Sequence, residues 1–130
     1  MPDIVFANPN NPIVPDRAIV HDNESFRVQW AAFNSSGQDF PAFVDRLVVF
    51  SIPEGCPGSD DVEHDVMFDS ANVTNGDFEE PELPAGSAGP LVQPMVGPFP
   101  AGSYRLTVTL ADDLGRGATT FNCIEIVAAT

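Results

Sequence analysis

Short apolar runs cut by Pro, Gly, Asn and Asp set the rhythm of this chain, and alternation of apolar with polar positions marks its clearest elements. Asp3 to Ala7 predicts a first strand. It is closed by Asn8-Pro9-Asn10-Asn11-Pro12, a proline-kinked stretch that would let an edge strand change sheets, with Arg17 to His21 continuing it. Glu24 to Asn34 reads as one long strand carrying Phe26, Val28, Trp30 and Ala32 on one face and Arg27, Gln29 and Ala31 on the other. That period of two places Trp30 in the core. Beyond the turn Asn34 to Asp39, Pro41 to Ile52 predicts a second long strand whose faces do not sort. Phe43, Leu47 and Val49 compete with Val44, Val48, Phe50 and Ile52, while Asp45 and Arg46 interrupt opposite faces. Apolar side chains on both faces predict that both are covered, which makes Leu47 and Val48 the candidates for an interface.

From Pro53 to Pro90 the pattern loosens into Gly, Pro, Asp, Glu and Ser, with one strand at Val66 to Ser70 and another near Phe78. Leu91 to Val96 carries Pro94, which lacks an N–H for a ladder and so marks an edge. Ser103 to Ala111 is the cleanest half-buried strand, Tyr104, Leu106, Val108 and Leu110 alternating with Arg105, Thr107 and Thr109. A hairpin at Asp112 to Gly117 returns the chain as a last strand, Ala118 to Ala128. About seven short strands at this spacing predict an all-β, immunoglobulin-like two-sheet sandwich, with residues 1–130 forming one domain.

Composition narrows the class of partner. Nineteen acidic residues face five basic ones, all Arg, for a net charge of −14. Such a field repels nucleic acid and anionic lipid, so neither is an expected partner, and no apolar run is long enough to insert in a membrane. Met1-Pro2-Asp3-Ile4 lacks the basic and apolar segments of a signal peptide, so a leader is expected to be absent or already removed. The expected location is extracellular or surface-associated, or within a virion or appendage. Cys56 and Cys123 lie too far apart for a zinc ribbon or a redox pair, which leaves a disulfide or two free thiols.

Candidate chemistry is sparse. Asp60, Asp61, Glu63 and Asp65 crowd around His64 and would suit calcium, a hard cation wanting six to eight oxygens; a solvated acidic loop is the plainer reading, and no cofactor is expected. Asp69 to Glu80 has the length of an EF-hand loop, yet Ala71, Val73 and Thr74 stand where ligands and Gly are required. Only His21 and His64 are available as bases, and neither comes with a nucleophile elbow; His21 is expected to end an edge strand and His64 to face solvent. No catalytic residue is assigned. Asn23-Glu24-Ser25, Asn34-Ser35-Ser36 and Asn72-Val73-Thr74 are formal glycosylation sequons.

Four features in this order resemble the CARDB family, a cell-adhesion-related domain of bacteria and archaea. They are Pro2-Asp3-Ile4-Val5, Phe33-Asn34-Ser35-Ser36-Gly37, Leu83-Pro84-Ala85-Gly86-Ser87 and Pro100-Ala101-Gly102-Ser103-Tyr104-Arg105-Leu106-Thr107-Val108. The resemblance implies an immunoglobulin-like fold and structural or adhesive work. The chain departs from the family's acidic, Asn-rich final turn with a Gly-rich hairpin, Asp112 to Gly117, and adds a long stretch from Pro53 to Pro81. Leu106 stands where antibody-type domains carry a Cys.

The resulting expectation is a non-enzymatic protein-binding module acting through sheet faces and edges, either on a protein partner or by self-assembly. A virion or appendage subunit and a carbohydrate-binding module are the alternatives. The last would need exposed aromatics on one face, whereas Trp30 and Tyr104 both read as inward.

Overall fold

The computed structural model describes residues 4–8, 10–17, 19–56, 58, 63–72, 78–112 and 117–129. Its strands are β1 (Ile4–Phe6), β2 (Val14–Pro15), β3 (Val20–His21), β4 (Phe26–Gln29), β5 (Ala32–Asn34), β6 (Phe43–Ser51), β7 (Val66–Asp69), β8 (Phe78–Glu80), β9 (Met95–Val96), β10 (Gly102–Ala111) and β11 (Gly117–Val127). The larger sheet runs β3-β11-β10-β6-β7, with β8 also paired to β6. The opposing layer is built from the β1–β5 pair and from β2-β4-β9. This is the expected all-β sandwich.

The predicted strand from Glu24 to Asn34 is divided. Trp30 carries the register of β4 past β9 by exchanging backbone hydrogen bonds with Val92, at 3.0 and 2.8 Å, and the break falls at Ala31, before β5 begins. The first predicted strand and its continuation are also distributed. β1 pairs antiparallel with β5, whereas β3 crosses over to pair parallel with the end of β11. The Asn8 to Pro12 kink precedes that change of sheet, and Ile13 just beyond it is fully buried. Near Phe33, the Asn34 sequon is structural. Its amide donates to the Gln38 and Leu83 carbonyls and it is wholly buried.

β6 resolves the face that the sequence left undecided. Phe43, Asp45, Leu47 and Val49 point into the core, and Val44, Arg46, Val48 and Phe50 point outward. Leu47 is 0 % exposed and, contrary to the sequence expectation, cannot form an interface; Val48 lies on the outer face. The pattern misleads because the inward face holds an acid, Asp45, while the outward face holds three apolar residues. β7 and β8 flank β6 at this edge, so part of the Pro53 to Pro90 stretch widens the sheet rather than lying loosely over it.

β10 alternates as its sequence predicts, with Tyr104, Leu106, Val108 and Leu110 all buried. The Tyr104 hydroxyl donates to the carbonyl of Pro100, four residues upstream, a link between loop and strand characteristic of immunoglobulin-like sandwiches. At the far end of β10, a Cβ at position 117 would lie 1.7 Å from the Leu110 carbonyl oxygen. Only Gly lets the hairpin strands approach so closely there.

Candidate functional site

β11 is the longest strand, and only part of it has a neighbour on each side. β10 covers one edge from Gly117 to Ile126, whereas β3 covers the other edge only at Ile126 and Val127. The Val127 carbonyl accepts from the Asp22 amide on the β3 side. Backbone groups in an antiparallel ladder alternate in direction, so Thr119, Phe121 and Cys123 also aim their N–H and C=O groups at that edge. Cys123 is capped by its own neighbour. The Asn122 side chain accepts from the Cys123 amide at 2.9 Å and donates to the Ile13 carbonyl at 2.8 Å, clamping the chain there. Among the described residues, no backbone partner meets the stretch Gly117 to Phe121 on this edge.

An apolar groove of about 610 Å³ runs beside that stretch, lined by Val5, Phe6, Pro12, Phe33, Ala118 and Thr120 among others. It lies between the outer edge of β1 and the edge of β11, where the two layers part. Ala118 and Thr120 belong to the inward face of β11 yet are only half-buried, because no strand covers them. No charged side chain lines the groove. On the outer face of the same strand, Phe121 is 51 % exposed. Sequence reading missed Thr119, Phe121 and Asn122; the available signal was Asn122, an amide on the inward phase of an alternating strand.

The other predicted site residues fall elsewhere. Cys56 and Cys123 form a disulfide with Cα atoms 5.7 Å apart, tying the turn after β6 to the outer face of β11. Glu63 and Asp65 are exposed, and Asp60 and Asp61 lie outside the described residues. Among the described residues, no group of three or more His, Cys, Asp or Glu side chains is placed to hold a metal ion. His64 does not face solvent as expected. Its side chain is 4 % exposed and its Nε2 lies 2.7 Å from Glu54, packed where the chain turns at Gly58. His21 ends β3 and pairs with Glu24 at 2.7 Å, which holds the Glu24 carboxyl below its ordinary range. Trp30 and Tyr104 are buried, so neither offers a platform for sugar.

The described arginines are engaged by the chain itself. Arg17 meets Glu24, Arg46 forks onto Asp69, Arg27 donates to the Gln93 carbonyl, and Arg105 lies 4.9 Å over the Phe50 ring. Arg46 holds the Asp69 carboxyl below its usual value.

No protein-family profile matches the chain, and no curated protein matches it in sequence. Solved structures do match it in shape. The CARDB domain of a Pyrococcus furiosus protein, solved in complex with di-metal ions, superposes with a TM-score of 0.61 at 12 % identity, covering 98 % of this chain and 96 % of that one. AvmM, which catalyses macrocyclization in alchivemycin A biosynthesis, is similar at a TM-score of 0.54 and 11 % identity, covering 97 % of both chains. A β-glucosidase from Erythrobacter marinus gives 0.55 at 12 % identity; 97 % of this chain matches only 16 % of that one. No described helix is long and apolar enough to cross a membrane. With β11, β10 and β6 as the inner strands of its larger sheet and β3 crossing over to join it, the chain has the immunoglobulin-like all-β fold of a CARDB domain.

Proposed function

We propose that this chain is a protein-binding module, without chemistry of its own, that takes an extended segment of a partner along the free edge of β11. The supporting observation is the coincidence of an unpaired backbone edge, Gly117 to Phe121, with an uncharged apolar groove directly beside it. An added strand gains ladder hydrogen bonds from Thr119 and Phe121. Its alternate side chains would drop between Phe6, Phe33 and Ala118, which is the division of labour in β-augmentation. The other edges are less suited. β7 is irregular against β6 and carries the Arg46–Asp69 pair, and the opposing layer is edged by the Pro94 segment.

The occupant is a neutral or basic segment of a different protein rather than a second copy. Two chains of charge −14 repel at low salt, and the described arginines that could offset this are already engaged. The Cys56–Cys123 disulfide supports work in an oxidising compartment, at or beyond the cell surface. The similarity to a CARDB domain supports an adhesive rather than an enzymatic setting. Random peptides selected by display on the immobilised full chain should protect the Thr119 and Phe121 amides from hydrogen exchange. They should bind at least tenfold more weakly to Thr120→Arg, which blocks the groove. Selected peptides that leave both amides exchanging at the free rate refute the site.

A further inference from the structure

A second feature lies across the core from that groove, at the β8 edge of the larger sheet. Asp45 is 0 % exposed and Glu80 is 3 % exposed. Phe43 pairs with Glu80 and Asp45 with Phe78, so the inward phase of the two strands sets both acids diagonally on one face. The Trp30 Nε1 donates to Asp45 Oδ2 at 2.8 Å, and Phe78 meets the Trp30 ring edge to face at 5.6 Å. Behind Glu80 the chain closes tightly. A Cβ on Gly89 would stand 3.0 Å from Glu80 Oε1, so backbone passes directly against the carboxyl group.

Among the described residues, no cation is paired with Glu80. Arg46, next to Asp45 on β6, points outward to Asp69; Glu79 and Glu82 are exposed; the stretch from Leu83 to Gly89 brings no charged group. Glu80 faces Asp45, and Asp45 in turn accepts from the indole donor. Two buried carboxylates that close cannot both ionise, and with no other donor at the Glu80 oxygens, a proton on Glu80 is what satisfies them. Burial first, then the hydrogen bond and charge of Asp45, push the Glu80 carboxyl up to about 9. These oxygens are sealed from solvent, so the pair cannot touch a substrate.

We propose that Asp45 and Glu80 share one proton that fastens β8 to β6 over the Trp30 end of the core, and that alkali opens this strand by removing it. Asp45 is then the acceptor of two donors, the indole N–H and the Glu80 O–H. Folding takes up one proton wherever Glu80 is ionised in the unfolded chain and neutral in the folded one. The contribution to stability is therefore complete below about pH 4.5 and is lost progressively up to about pH 9, the folding equilibrium constant falling about tenfold per pH unit.

The chain has one Trp, so its spectrum reports on this site alone. In the full wild-type chain, the Trp30 indole N–H resonance and its fluorescence should titrate together with a midpoint near pH 9. In Glu80→Gln both should flatten, and the dependence of stability on pH should lose about one proton between pH 5 and 8. The carbon-13 shift of the Glu80 carboxyl in the wild type supplies a check that needs no variant. It should be that of a neutral acid at pH 7. An ionised Glu80 at pH 7, a flat Trp30 signal through pH 9, or the same titration persisting in Glu80→Gln would each overturn the proposal.

Discussion

Replacing both cysteines, as Cys56→Ser with Cys123→Ser, should destabilise the chain chiefly through its unfolded state. The two are 67 residues apart in sequence, and the chain-entropy relation for a closed loop of that size gives about 4 kcal/mol at 25 °C. The folded side of the balance should change little. The turn that the bond secures is also held by the Ser51 amide on the Asp65 carbonyl, by the Gly55 amide on the Ile52 carbonyl, and by Ile52 itself, which is wholly buried. Cys123 sits on the outer face, opposite Arg105 in the β10 register, so removing its sulfur opens no core cavity. Urea unfolding at fixed salt should show a lower midpoint and a steeper slope, because the unlinked chain exposes more surface when it unfolds. Against the usual 5–15 kcal/mol for a domain, a loss of about 4 is a large fraction. A loss below about 1 kcal/mol with an unchanged slope would refute the reasoning and show that the unfolded chain gains little freedom from losing the link.

Two further outcomes separate the faces of the sheet and test the core. Leu47→Glu would bury an unpaired charge and should prevent cooperative folding, whereas Val48→Glu on the outer face should melt within about 1 kcal/mol of wild type. Light scattering at high salt should give one chain mass for wild type and Val48→Glu alike, and a larger mass in wild type lost in Val48→Glu would assign that face to self-assembly. Trp30→Phe keeps much of the ring but leaves the buried Asp45 oxygen without its indole donor, at about 1–3 kcal/mol, and Trp30→Ala should cost about 3–5 kcal/mol by thermal melt.

Much of the fold is legible where burial has a single phase. Tyr104 to Leu110 alternate with polar residues because one side of β10 meets the core and the other does not, so the local pattern contains the answer. β6 is paired along both edges and breaks that rule. Val44, Val48 and Phe50 face outward, with Phe50 sheltered under Arg105, while Asp45 faces inward. An inward acid reads as a break in the pattern until its partners are known, and those are Trp30, fifteen residues before it, and Glu80 on another strand. The clue in β8 was the phase that puts Glu80 on the same side as Phe78. The proposed binding edge was less accessible still. Nothing in Gly117 to Phe121 encodes whether a neighbour is present; that depends on where the chain around Asn8 to Pro12 delivers β3, which is a short strand meeting only the last two residues of β11's ladder. A strand's own sequence fixes which side is apolar, whereas its exposure as an edge follows from the length and path of another segment. The two proposed devices, an open edge and a proton-held strand, are therefore properties of tertiary placement.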